Sequence, residues 1–258
     1  MFNNGKAPFD DKLAREAVAH GVDQATLVKT LFGDVFATAD GPFSPGSRWY
    51  AAPTAAEQEQ KQFDPALAKQ LAQQYEKKHG KPLTFTLNAP ASITEAARAA
   101  QLTQSYLKPL GIHVKLNTEE FAKYVLDAVQ GNYEADIWRQ FGEQDPDGDY
   151  VWWHPRNVQP VGAISLNIAR FSNADMGKAL DLGRSSSDLA TRKQAYAQVQ
   201  QIFRDNYYFA WTAHAFWAVG SNPQVHDLVY WKAPDGEQGL PVNGGVHPLA
   251  QIWVKSTG

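Results

Sequence analysis

The 258-residue sequence contains no cysteine, which removes disulfides, thiolate metal sites and cysteine nucleophiles together. It has almost no net charge: 24 Lys and Arg against 27 Asp and Glu give a formal value of -3. No segment concentrates the basic residues that phosphate neutralisation requires, so no nucleic-acid partner is expected. No apolar run approaches the roughly 18 residues needed to cross a bilayer. The opening residues, Met1-Phe2-Asn3-Asn4-Gly5, carry no basic stretch followed by an apolar one. Local catalytic signatures are missing too, among them G-x-S-x-G, H-E-x-x-H, G-x-x-x-x-G-K-[ST] and G-x-G-x-x-G. The seven histidines never fall three to five residues apart, so no local pair of metal ligands exists, and neither metal nor cofactor is expected.

What is present is a globular composition, 43% hydrophobic and 12% aromatic, with material for a sizeable core. Capping residues mark out the helices. Asp10 and Asp11 precede an amphipathic stretch, and Asp23 precedes a second that closes at Gly33, where a left-handed cap is expected. Residues 38–57 are dense in Gly and Pro and predict a long loop whose Phe43, Trp49 and Tyr50 are buried. Phe63-Asp64-Pro65 opens a helix in which Leu67, Leu71 and Tyr75 repeat every four residues until Gly80. Leu83, Phe85 and Leu87 alternate as a strand. Ser92 to Glu95 reads as a capping box for a helix to Leu110, and Ile112, Val114 and Leu116 alternate again. A helix with Phe121, Tyr124, Val125 and Ala128 on one side ends at Gly131, before a strand around 135–138. This order predicts a parallel βαβαβ core over residues 81–141. Two further helices are expected at 173–184 and 188–205, capped by Asn173 and Asp188. The apolar run 207–219 predicts a buried strand or pair of strands.

One loop concentrates chemistry. Asp145-Pro146-Asp147-Gly148-Asp149 puts carboxylates at alternate positions, but Gly is fourth and Arg156 stands where a calcium loop needs Glu, so an Asx turn is the simpler reading. Trp138 and Phe141 precede it, and Tyr150, Trp152, Trp153 and His154 follow. Carboxylates beside aromatic walls, past the end of a parallel strand, are where an α/β sheet presents a ligand, and they suit a cationic or amphipathic solute. Trp138, Arg139, Phe141, Glu143, Asp145, Asp147, Trp152 and Trp153 are the candidate ligand-binding residues.

Seven segments, in order, carry a resemblance. Pro8 to Asp23, Gly41 to Ser47 with Trp49-Tyr50, Phe63 to Leu71, Gly131 to Asp136, Asp145-Pro146-Asp147, Phe171 to Met176, and Asp188 to Arg192 with Tyr196 to Ile202 are similar to the family 5 extracellular solute-binding proteins of ABC importers. The resemblance implies an α/β fold: a periplasmic-binding-protein-like lobe with a mixed, largely parallel sheet flanked by helices. Family members are roughly twice this length. Residues 1–206 then correspond to the later lobe, and 207–258 to the segment returning toward a missing N-terminal lobe. It further implies a small peptide or similar polar solute as ligand, an ABC permease as partner and a periplasmic or extracellular location, with any membrane anchor in a segment outside this chain. In peptide receptors of the family an Asp after the Trp-containing strand pairs with the ligand's ammonium group, and here Glu143 and Asp145 are the carboxylates that could serve. No catalysis is implied. Two other readings stay open: an α/β hydrolase-like enzyme using Glu143, Asp145 and Asp147, and a lobe retained as an interaction domain. A lobe without its partner should expose apolar surface at 207–219 or self-associate.

Overall fold

A computed structural model describes residues 1–60, 63–232 and 236–255. The chain opens with α1 (Lys12–Gly21) and α2 (Gln24–Phe32), capped by the side chains of Asp11 and Asp23. Gly33 follows with φ 60° and ψ -135°, a glycine-favoured conformation but not the left-handed helical one expected. A short strand β1 (Ala37–Thr38) enters the 38–57 loop, where Phe43 and Trp49 are buried and Tyr50 half-buried. That loop yields early to α3 (Ala55–Gln60), because Thr54 and Glu57 exchange backbone and side-chain hydrogen bonds as a capping box.

The helix α4 (Pro65–His79) has Asp64 as its cap and ends at a left-handed Gly80, as the Asp-Pro and Gly signals require. Then come β2 (Thr84–Pro90), α5 (Thr94–Leu107), a single 3-10 turn to Leu110, β3 (His113–Glu119), α6 (Phe121–Gln130) and β4 (Ala135–Asp136). Both β3 and β4 pair parallel to β2, in the order β3-β2-β4, so the expected parallel core is present. Its hydrophobic centre joins Leu83, Phe85, Leu87 and Ile112 to apolar faces of α1, α4 and α5. Three details differ. The first is that α5 starts at Thr94 with Ile93 at its cap and no side-chain cap bond, so Ser92 does not act as one. Secondly, Leu116 of the edge strand β3 and Phe121 at the start of α6 face outward, 38% and 51% exposed. Finally, β4 ends two residues before Trp138.

Beyond β4 the chain is irregular until a 3-10 turn at Pro146–Asp149 and the short α7 (Tyr150–Trp153). The helices α8 (Ala174–Ser185) and α9 (Leu189–Asn206), capped by Asn173 and Asp188, form a second core with Phe43, Trp49, Tyr150, Trp153 and Phe171. Within it Gly183 lets the Tyr196 ring lie directly on α8, where a Cβ would meet its Cζ at 2.6 Å.

The run 207–219 is not a buried strand pair. Only Ala213–His214 (β5) is strand, antiparallel to β1. Tyr207 and Tyr208 are buried, whereas Phe216 and Trp217 are 68% and 41% exposed. The apolar content is used ring by ring: Phe209 and Trp211 pack on Phe203 of α9, so the backbone follows the aromatic contacts instead of a ladder. Short β6 (Val225–His226) and β7 (Trp253–Val254) pair antiparallel near the end.

Candidate ligand-binding site

The segment after β4 is anchored by α6. The Tyr124 hydroxyl donates to the Ile137 carbonyl at 2.7 Å, and the Trp138 indole stacks on the Tyr124 ring at 5.6 Å. Trp138, Trp152 and Trp153 then meet around a shallow depression of about 20 Å3, partly open to solvent, completed by Leu166, Ile168 and Phe209. Three of the eight candidate residues are therefore brought together. Trp153 is mainly core, edge-on to Phe203, and contributes only its rim. One wall of this depression is held by Arg170, a buried residue with φ 53°. Its guanidinium donates to the carbonyls of Ala128, Val129, Ala163 and Ile168. It thereby adds a second donor to carbonyls at the C-terminal end of α6, where Ala128 and Val129 also accept from the Gly131 and Ser165 N–H groups.

Arg139 and Phe141 form a separate, exposed group with Trp217. Phe141 lies 5.0 Å from the Trp217 ring, and the Arg139 guanidinium sits 5.5 Å from it. This grouping joins residues more than seventy positions apart, so no local signal announced it.

The carboxylates divide in two. Asp145 accepts from Arg192 Nη1 and Nη2 at 2.9 and 2.6 Å, and from the Asp147 backbone N–H. Burial raises its pKa, but the Arg192 bonds outweigh this and hold it below the usual carboxylate range. Asp147 accepts from Arg184 Nε at 2.6 Å. These arginines also lie over aromatic faces, Arg184 on Tyr150 at 3.5 Å and Arg192 on Trp49 at 4.8 Å, which fastens the acidic loop to α8 and α9. The Asx turn expected there is present; the arginine partners were not foreseen. Glu143 and Asp149 have no such partner among the described hydrogen bonds and ion pairs. Burial pushes the Glu143 carboxyl up, against a bond from Asn243. Asp149, 4% exposed, rises to about 8, chiefly through burial and secondarily through the charge of Glu143. Its Oδ1 has no hydrogen-bond partner among the described residues. No group of three or more His, Cys, Asp or Glu among the described residues could hold a metal ion, and no described helix is long and apolar enough to cross a membrane.

The chain resembles known proteins throughout. It is 27% identical over 209 residues to Di/tripeptide-binding protein 2 of Pseudomonas aeruginosa, covering 79% of this chain and 37% of that one. It is 26% identical over 253 residues to Heme-binding protein A of Haemophilus influenzae, covering 94% and 44%. Its fold is shared with HbpA2 from Haemophilus parasuis, at TM-score 0.73 and 20% identity, over 99% of this chain and 47% of that one. It is also shared with DppA from Helicobacter pylori in complex with peptide STSA, at TM-score 0.70 and 21% identity, over 82% and 40%. The chain spans only 37–44% of the length of the two curated relatives named. The family described as Bacterial extracellular solute-binding proteins, family 5 Middle, matches residues 1–160, and the chain belongs to that family.

Proposed function

We propose that this chain is one lobe of a solute receptor that delivers a small peptide or similar polar solute to an ABC permease outside the cytoplasmic membrane. The observation that carries the reading is a shallow tryptophan-lined depression on the segment of chain that also holds Glu143 and Asp149, carboxylates with no arginine partner among the described residues, in a chain of this family. In this reading Trp138 and Trp152 offer stacking faces, with Trp153 at the rim, and Glu143 receives a cationic group. Asp145 and Asp147 hold the loop in shape through Arg192 and Arg184, and Arg139 and Phe141 flank the site with Trp217. Residues 1–206 form the lobe and 207–258 run toward a first lobe. The exposed Phe216 and Trp217 support that direction, since such rings are normally covered. The same pairing of Asp145 and Asp147 with arginine disfavours a hydrolase, which needs a carboxylate free to exchange protons.

A single wall gives little affinity. An exposed ion pair contributes about 0–1 kcal/mol and a cation over an exposed aromatic face about 0.5–1 kcal/mol. The sum, roughly 2 kcal/mol, falls short of the ~4 kcal/mol that millimolar binding requires. Calorimetric titration of the 258-residue chain with dipeptides should therefore give no measurable affinity, and co-expression with the remainder of the encoding locus should restore it. A micromolar Kd for the chain by itself would show a complete site and refute the shared-cleft reading. Light scattering tests self-association through the exposed rings.

A further inference from the structure

Residues 238–246 lie against the Phe141–Asp145 segment through a set of bonds that their own turn cannot explain. The Gln144 side chain donates from Nε2 to the Gln238 carbonyl at 3.2 Å and accepts at Oε1 from the Leu240 N–H at 2.9 Å. The Gln144 backbone N–H donates to Asn243 Oδ1 at 2.8 Å, and the Gly244 N–H donates to the Gly142 carbonyl at 3.0 Å. Asn243 and Val246 exchange backbone hydrogen bonds across Gly244 and Gly245, with φ 56° and 81°. Positive φ at both central positions is the two-residue hairpin turn that glycine adopts most freely. Both glycines also lie close to the facing segment, and a side chain at either would push a neighbour aside. A Cβ at Gly244 would fall on Glu143 Oε1, and one at Gly245 would meet the Phe141 ring at 3.0 Å.

We infer that residues 238–246 are a strap, clipped by Gln144 and seated by Gly244, that screens Glu143 and thereby determines which cationic groups can reach it. This rests on the proposed role of Glu143 in holding a solute cation. With the strap down, the turn covers part of the carboxylate and Asn243 occupies one of its hydrogen-bonding positions. A compact cation can approach from the remaining side, whereas a bulky one must lift the strap. Gln144 is thus a positioning residue and Gly244 a specificity determinant, neither of which belongs to the Trp-lined depression.

Two variants test it in the full chain, with the Glu143 side-chain carboxyl followed by carbon NMR. Gly244→Val places a β-branched side chain at positive φ and against Glu143, and Gln144→Ala removes two bonds from a surface side chain. If either variant fails to fold by circular dichroism, the other carries the test. In the unaltered chain the Glu143 midpoint should lie above the free-glutamate value of about 4.3, and in both variants it should move down toward it. Asp149 is the other acid whose charge acts here, so the titration is repeated with Asp149→Asn to separate its field from the strap's cover. Unchanged midpoints in both variants would overturn the strap. Dialanine is the solute probe, taken to a few hundred millimolar, about tenfold above the tens-of-millimolar Kd that roughly 2 kcal/mol corresponds to, a range calorimetry does not resolve. An equilibrium held about tenfold toward the closed strap lowers apparent affinity by that factor, so lifted variants should shift Glu143 at up to about tenfold lower dialanine. Identical titrations in all proteins would refute control of access. If dialanine moves Glu143 in none of them, the solute role of Glu143 fails, while the midpoints still decide whether the strap covers it.

Discussion

Replacing Arg170 by alanine removes one side chain that serves four backbone acceptors. Arg170 is 3% exposed, and two of its bonds, to the Ala128 and Ile168 carbonyls at 3.2 and 3.0 Å, are fully buried. The Val129 and Ala163 carbonyls are only partly buried, so water can take over there. Neither buried carbonyl is orphaned when the guanidinium goes, since Ala128 O keeps the Gly131 N–H and Ile168 O keeps the Tyr133 hydroxyl, but each loses a buried bond from a charged donor, which contributes about 1.5–3 kcal/mol. The two buried ones therefore set a loss of about 4 kcal/mol. For a chain of this size each kcal/mol lowers Tm by roughly 2–4 °C, so calorimetry should show a fall on the order of 10 °C. Arg170→Lys retains the charge but cannot fork to four carbonyls, and it should recover less than half of the loss. Because Ile168 lines the depression next to Trp138, tryptophan emission should also shift red in both variants. A fall below about 3 °C for Arg170→Ala would mean that the remaining donors, the Gly131 N–H and the Tyr133 hydroxyl, suffice, and the assignment of Arg170 as the strut of this wall would fail.

The acidic loop supplies two more expectations. Asp149 is raised to about 8 in the fold against about 3.9 unfolded, so the native state binds the extra proton between those values and stability must fall as pH rises across that window. Urea midpoints from pH 4.5 to 8.5 should show this decline and Asp149→Asn should make it shallower, the remainder coming from buried Asp136, raised to about 7; an equal slope in both proteins would exclude Asp149 as a source. The Asp145–Arg192 pair, half exposed on the Asp145 side, should give a coupling of about 1 kcal/mol in a double-mutant cycle, shrinking as salt is added. A coupling near zero at low salt would mean that stacking on Trp49, not the ion pair, holds the loop.

Much of the fold was legible because its punctuation is local. Asp11, Asp23, Asp64, Asn173 and Asp188 each cap a helix with their own side chains, and the alternation at Leu83, Phe85 and Leu87 marks a strand buried on the sheet. The capping reading failed at Ser92, where the chain leaves β2 through Pro90 and α5 begins one residue past Ile93. The expectation of a buried strand or strand pair failed at 207–219, since a run of aromatic rings has no period when each ring docks on a different neighbour. The depression was partly legible, because Trp138, Trp152 and Trp153 are close in sequence to the strand that presents them. Arg184 and Arg192 were not, lying 37 and 47 residues from their carboxylates, nor was the Asn-Gly-Gly turn that crosses from nearly a hundred positions away.

The division among the four loop carboxylates bears directly on which could meet a solute. A cation approaching Asp145 must compete with a bidentate guanidinium that is already bonded to both oxygens and stacked on a ring, so its gain is the difference between two similar pairs. At Asp147 the competitor is Arg184, and displacing it also uncovers Tyr150. Glu143 presents the opposite case. Its carboxyl is pushed up by burial, not by a paired charge, so its ionised form is under-solvated in the fold, and a cation that arrives restores what burial removed. Binding there must release a proton over the range where Glu143 is partly protonated. If Glu143 is the carboxylate that meets the cation, as proposed, dialanine titrations at several pH values should show affinity rising up to the Glu143 midpoint and levelling off above it, whereas binding at Asp145, already ionised, would be flat over the same range and would refute Glu143.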